Sequence, residues 1–308
     1  MEQYRMTFQF PGQGSQKVGM GQDLCARSPA AAEVFAQADE VLGVPLSQLC
    51  FEGPPEVLND TVNTQPAILT ASVAALQALE ERLGQPAFVA GHSLGEFSAL
   101  VAAGTLTFED ALLLVQKRGQ LMKEAGESYP GGMAAIIGLE AVQVDECCAQ
   151  AREATGGYVG IANDNCPGQI VISGDEQALQ AGMEAMEAAG ARKVVRLAVS
   201  IAAHSPLMAE AAAAFRRALE KITIRPPEVP FVANATASPL TNPDQIREAL
   251  CRQLTSPVQW TDSVHWMIRR GVTHFVEVGP GEVLTSLLRR IDRGTERLTT
   301  TQVLALGT

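Results

Sequence analysis

The sequence of 308 residues is short of aromatic side chains, which make up 5% of it, with Trp twice and Tyr three times. Scarce aromatics beside abundant Ala, Leu and Val argue against a β-sandwich and for helices packed on a buried sheet. Positive charge is also short: 23 Lys and Arg stand against 34 Asp and Glu, a formal net charge of −11. Such a chain lacks the clustered cations that neutralise a phosphate backbone, which excludes nucleic acid as its main partner. No apolar run reaches the ~18 residues of a membrane-spanning helix. The opening stretch MEQYRMTFQF has no signal-type apolar segment. No membrane contact is therefore expected, and the expected compartment is the cytoplasm. The six cysteines (Cys25, Cys50, Cys147, Cys148, Cys166 and Cys251) form no CxxC pair and no metal-ligand spacing. Reduced, mostly buried thiols and no bound metal are expected. Internal repeats, low-complexity tracts, a P-loop and a dinucleotide fingerprint are missing as well. The third glycine of that fingerprint would fall on Lys17.

What is present is a chain 46% hydrophobic, long enough for one large domain with an insertion or for two domains. MTFQF reads as a strand, and 86–91, short and continuously apolar, as a buried parallel strand. Helical periodicity runs over 64–84, 94–104 and 107–125, the last with Thr107 as N-cap. The rhythm changes over 130–197, where the elements follow the order β-α-β-β-α-β of a ferredoxin-like unit. Beyond it, strands and helices alternate again. The expected architecture is α/β with a mainly parallel sheet, built from 1–129 and 198–308, with 130–197 as an inserted small subdomain.

The stretch VAGHSLGEFSAL (89–100) carries the first chemical signal. Gly91-His92-Ser93-Leu94-Gly95 matches G-x-S-x-G between an expected strand and an expected helix, the context this motif requires. On such a sharp turn the serine is exposed, the glycines let neighbouring elements approach, and the new helix aims its N–H groups where an oxyanion would form.

A nucleophilic serine needs a base, and there are four histidines. His92 adjoins the serine, a place from which a side chain usually points away. His265 falls in a helical stretch and His274 opens a strand. His204, in SIAAHSPLM, lies at the return from the insertion and before a helix, where catalytic groups are common. For a third, acidic member, Asp262 and Glu277 stand open. FPGQGSQ (10–16) is either a plain tight turn or a source of backbone N–H groups for an oxyanion. Arg118 either caps its helix or clamps a carboxylate bidentately.

Together FPGQGSQKVGMG, TQPAILTASVA, AGHSLGEFSALVAAG, RGQLM, NDNCPGQIVISG, AHSPLM, SPVQWTDSV and EVGPGEVLTSL resemble, end to end and in order, the malonyl-CoA:acyl carrier protein transacylases and related acyltransferase domains of fatty acid and polyketide synthases. The resemblance implies an α/β-hydrolase-like core with a ferredoxin-like subdomain. It implies Ser93 as nucleophile, His204 as base, and the backbone carbonyl of Gln259 as the acceptor orienting His204. Gln13 and Leu94 would form the oxyanion hole through their N–H groups, and Arg118 would pair with the malonyl carboxylate. Asn163 and Gln169 are implied near the cleft. Malonyl-CoA and an acyl carrier protein would be the partners, with no metal or redox cofactor, and a monomer is expected. Leu94 is the malonyl-type choice after the serine. Ile201-Ala202-Ala203-His204 departs from the family's usual patterns, and the small Ala203 would widen an acyl pocket. Three other readings remain at this point: a polyketide acyltransferase acting in trans, an acyl hydrolase of the same fold, and a non-catalytic carrier-docking module.

Overall fold

A computed structural model of the chain describes residues 5–79 and 82–306. Its strands are, in chain order, β1 (Met6–Phe10), β2 (Phe88–Gly91), β3 (Gly131–Ile137), β4 (Val159–Cys166), β5 (Gln169–Asp175), β6 (Lys193–Arg196), β7 (Phe231–Ala233), β8 (Ser238–Leu240), β9 (Val258–Gln259), β10 (His274–Glu277) and β11 (Glu296–Thr299). They form two sheets, ordered β11-β10-β1-β2-β7-β8 and β6-β3-β5-β4-β9.

In the first sheet every pairing is parallel except β7 with β8. Its central strands are buried on both faces. Phe8, Phe10 and Val89 enter one core, while Phe88, Ala90 and Phe275 enter another around Trp260. Burial on both sides is why β2 reads as an unbroken apolar run rather than an alternating one. The second sheet alternates instead. Ala134, Ile136, Ile170 and Ile172 pack beneath the helices Ala141–Thr155 and Glu176–Ala188. Met133 and Val171, on the opposite face, look toward the main body.

The β-α-β-β-α-β order expected over 130–197 is present, with β3, β4, β5 and β6 paired antiparallel. The fifth strand was not expected. β9, from the C-terminal part of the chain, joins the same sheet parallel to β4.

Two helices differ from expectation. The one expected over 64–84 begins earlier, as Thr61–Leu79, and its expected continuation crosses 80–81, outside the described residues. The one expected over 107–125 runs Phe108–Ser128, capped by Thr107 Oγ1, which accepts from the Asp110 N–H at 3.1 Å. Arg118 therefore lies mid-helix, without the free carbonyls that a last-turn arginine would cap. Among the described residues no helix is long and apolar enough to cross a membrane.

Candidate active site

The parallel strands all deliver their carboxyl ends to one edge, where α/β sheets hold their ligands. Gly12–Gln16 follow β1, His92–Leu94 follow β2, Asn234 follows β7, and the turn after β10 leads to the helix Val283–Ile291. Between this edge and the inner face of the second sheet lies a cavity of about 500 Å³. Gln13, Ser93, Leu94, Arg118, Asn163, Gln169 and His204 all line it.

Ser93 sits at φ 51° between β2 and the helix Gly95–Ala102, a left-handed conformation that costs a residue bearing Cβ. The flanking glycines are sterically required. A Cβ on Gly91 would fall 1.9 Å from the Gly95 carbonyl carbon, and one on Gly95 would fall 2.1 Å from the Phe10 carbonyl oxygen. Asn234 pins the turn, accepting from the Ser93 N–H at 2.7 Å and donating to the Gly91 carbonyl at 2.6 Å.

The Ser93 hydroxyl donates to His204 Nε2 at 2.8 Å. His204 Nδ1 donates to the carbonyls of Gln253, at 2.9 Å, and Ser256, at 3.2 Å. Carbonyls only accept, so the proton lies on Nδ1 and Nε2 is left bare. The expectation that Gln259 supplies this carbonyl is corrected here. Gln259 pairs with Asp164 across β9 and β4, and its carbonyl accepts from Ser263 Oγ at 2.7 Å. Gln253 instead ends the helix Pro243–Gln253, and the last carbonyls of a helix have no partner within it. The electronegative end of that helix thus stands where a carboxylate would otherwise orient the imidazole. Neither open acid fills that place: Asp262 is exposed, and the buried Glu277 accepts from the N–H groups of Leu284 and Thr285. Burial, reinforced by the positive Arg118, pushes the His204 imidazole down to about 3 and keeps it neutral.

Arg118 is 2% exposed. Its Nη2 donates to Ser93 Oγ at 3.1 Å and to Gln253 Oε1 at 2.9 Å, and its Nη1 donates to Gln65 Oε1 at 2.8 Å. Its Nε–H has no partner and is buried. Burial lowers its pKa to about 10, so it stays a cation at neutral pH. Gln253 Nε2 donates to the Ser93 carbonyl at 2.8 Å and also to Glu96 Oε2. Glu96 Oε1 accepts from the Asn234 N–H at 2.6 Å, and burial pushes this carboxyl up to about 7.

The N–H groups of Gln13 and Leu94 have no acceptor among the described residues, and both residues line the cavity with Ser93. Gln169 accepts from Arg290 at 2.7 Å, and Asn163 is buried in β4. His92 does not point away from the cavity; it lines it. Its Nε2 donates to Asn165 Oδ1 at 2.7 Å, and its ring stands edge-on to Trp260. The half-buried His265 and His274 lie outside the cavity lining. Sequence reading missed Gln65, Asn165, Asn234 and Gln253. The one local signal among them is Asn234, a polar residue directly after an apolar strand at the ligand-bearing edge.

An α/β chain that sets a serine on this turn, hydrogen-bonded to a histidine, falls in the class of proteins that carry an acyl group on serine. Residues 7–305 match the family described as the acyl transferase domain, and the chain belongs to it. It is 49% identical over 288 residues, 93% of each chain, to the malonyl CoA-acyl carrier protein transacylase of Escherichia coli strain K12. An acyl carrier protein S-malonyltransferase from Vibrio cholerae has a similar structure, with TM-score 0.94, 42% identity, and coverage of 98% of this chain and 99% of that one. A malonyl-transacylase solved in complex with a type II PKS acyl-carrier protein gives TM-score 0.94 and 41% identity over 98% of each chain.

Proposed function

We propose that the chain moves a malonyl group from malonyl-CoA to the phosphopantetheine thiol of an acyl carrier protein, through a malonyl ester on Ser93. The observation that carries this reading is the double engagement of Ser93 Oγ, by His204 Nε2 at 2.8 Å and by the buried Arg118 guanidinium at 3.1 Å. The first contact equips a nucleophile, and the second sets a fixed cation where the free carboxylate of a dicarboxylic acyl group would lie.

In the first half-reaction Ser93 Oγ attacks the thioester carbon as His204 Nε2 takes its proton. The oxyanion receives the N–H groups of Gln13 and Leu94, each such donor contributing roughly 3 kcal/mol. The carbonyls of Gln253, at the helix end, and of Ser256, just beyond it, stabilise the imidazolium that forms. Collapse breaks the carbon–sulfur bond, and His204 returns the proton to the CoA thiolate. In the second half-reaction His204 takes the proton of the pantetheine thiol, sulfur attacks the ester, and Ser93 leaves with the proton restored. Asn163 and Gln169 present amides along the cavity wall to the pantetheine arm. The chemistry needs no group beyond the chain and its two substrates.

The test is intact-mass measurement after mixing with malonyl-CoA or acetyl-CoA, then with a holo carrier protein. Wild type should gain one malonyl group, lose it to the carrier, and gain far less acetyl. Ser93→Ala should gain none. Malonyl labelling that persists in Ser93→Ala would overturn the reading. Loss of the group to water, with or without carrier, would favour a hydrolase.

A further inference from the structure

Glu96 is a carboxyl group 1% exposed, three residues after the nucleophile, and the transfer mechanism leaves it without a role. Its two oxygens hold the two residues that hold everything else. Oε1 accepts from the N–H of Asn234, whose side chain pins the Ser93 turn, and Oε2 accepts from the Gln253 carboxamide. Gln253 in turn touches all three reacting groups, with Nε2 on the Ser93 carbonyl, Oε1 on Arg118, and its own carbonyl on His204.

A carboxamide fits such a place in one orientation only. Its NH2 faces two acceptors, the Glu96 carboxylate and the Ser93 carbonyl, while its oxygen faces the Arg118 donor. Turned over, it would set NH2 against the guanidinium and oxygen against two acceptors. We infer that Glu96 is a positioning residue: its ionised carboxylate fixes which way Gln253 faces and so keeps Arg118 and Ser93 aligned for malonyl transfer. The inference rests on the acyl-transfer reading of the site.

Protonation would reverse this contact. Oε1 is committed to accepting from Asn234, so the proton would sit on Oε2, donor facing donor. Arg118, on the helix Phe108–Ser128, is the charged group acting on Glu96, and it lowers the carboxyl against the larger effect of burial. His204 and His92, the nearby imidazoles, are both held neutral by burial. Gln65 on Thr61–Leu79 and Asn234 after β7 do not titrate. With Glu96 at about 7 and His204 at about 3, an acid limb near neutrality belongs to Glu96 and not to the base.

The experiment follows single-turnover acylation of Ser93 by malonyl-CoA, and its sulfonylation by phenylmethanesulfonyl fluoride, across pH in wild type and Glu96→Gln. Thermal melting checks that the variant is folded. Wild type should lose both reactions as pH falls through about 7. Glu96→Gln should acylate about 10- to 100-fold more slowly at high pH, the range for a lost hydrogen bond to a charged group, and should show no such limb. Its malonyl-to-acetyl ratio should fall with the rate. A variant with the wild-type rate and limb would overturn the inference, as would a wild type whose acid limb lies wholly below about 5, well under the value of Glu96. If the variant does not fold, the wild-type profile alone decides. If wild type takes no malonyl group at all, the transfer reading fails, and the sulfonylation profile still decides the role of Glu96.

Discussion

Arg118 donates to the hydroxyl oxygen of Ser93 across 3.1 Å, so the cation rests against the nucleophile itself. The same Nη2 also serves Gln253, which leaves the buried Nε–H as an idle donor. A substrate carboxylate arriving beside Ser93 meets a guanidinium that is already desolvated and aimed. The cost of burying the charge has been met in folding rather than in binding.

Replacing Arg118 with Ala should therefore lower kcat/KM for malonyl-CoA by about 100-fold or more, as expected for a lost bidentate charged pair. Transfer of acetyl, which has no carboxylate, should change far less. Lysine should restore only part of the malonyl rate, because it keeps the charge without the planar fork. The ratio of kcat/KM for malonyl-CoA and acetyl-CoA in the three proteins is the measurement. An unchanged ratio would remove the clamp.

His204→Ala should slow acylation about 10²–10⁴-fold, the usual cost of a lost general base. His92→Ala should cost much less, since its Nε2 is occupied by Asn165. Stability carries a second signature. The His204 imidazole is held at about 3 in the folded chain against 6.5 when unconstrained, so the unfolded chain binds the extra proton first. The stability tied to the neutral ring is complete above 6.5 and is lost as pH falls toward about 3. Denaturant midpoints should thus fall on acidification more steeply in wild type than in His204→Ala, with a difference in slope of at most about 1.4 kcal/mol per pH unit. Parallel curves would refute it.

Gly95→Ala tests the packing of the turn. The new Cβ would lie 2.1 Å from the Phe10 carbonyl oxygen, a main-chain atom of the central strand that cannot swing aside. A loss of about 1–3 kcal/mol or more in urea unfolding is expected, as for other overpacked sites. Activity should fall with it, because the displaced turn carries Ser93. A neutral substitution would mean that the turn has more room than the Phe10 contact allows.

The sequence revealed those parts of the site whose cause is local. A strand, a glycine-flanked serine and a helix announce Ser93, because the turn needs glycine on both sides of it. His204 stood out by its place between elements. Arg118 was visible as a residue but not in its role, since the side chains that surround it, Gln65, Ser93 and Gln253, come from distant parts of the chain. The acceptor for His204 was misread for a deeper reason. Every residue has a carbonyl, and only the fold decides that the helix ending at Gln253, rather than the strand at Gln259, presents an unpaired one. β9 was invisible because a two-residue strand has no periodicity and exists by virtue of its partner β4. Glu96 is an acid in the first turn of a helix, and nothing nearby in the chain tells of Asn234 or Gln253.

Ser93 and His204 share a backbone trait: with φ of 51° and 59°, both take conformations that glycine adopts freely. Held there, residues bearing Cβ cost on the order of 1–3 kcal/mol each. The fold thus keeps its two reacting side chains at places where their absence would relax it. Under selection for heat resistance alone, drift at these two positions would run toward glycine and toward a sturdier, inert protein. Thermostable variants that stay active should therefore gain their stability elsewhere, and a library screened only for melting temperature would favour losing its catalysts.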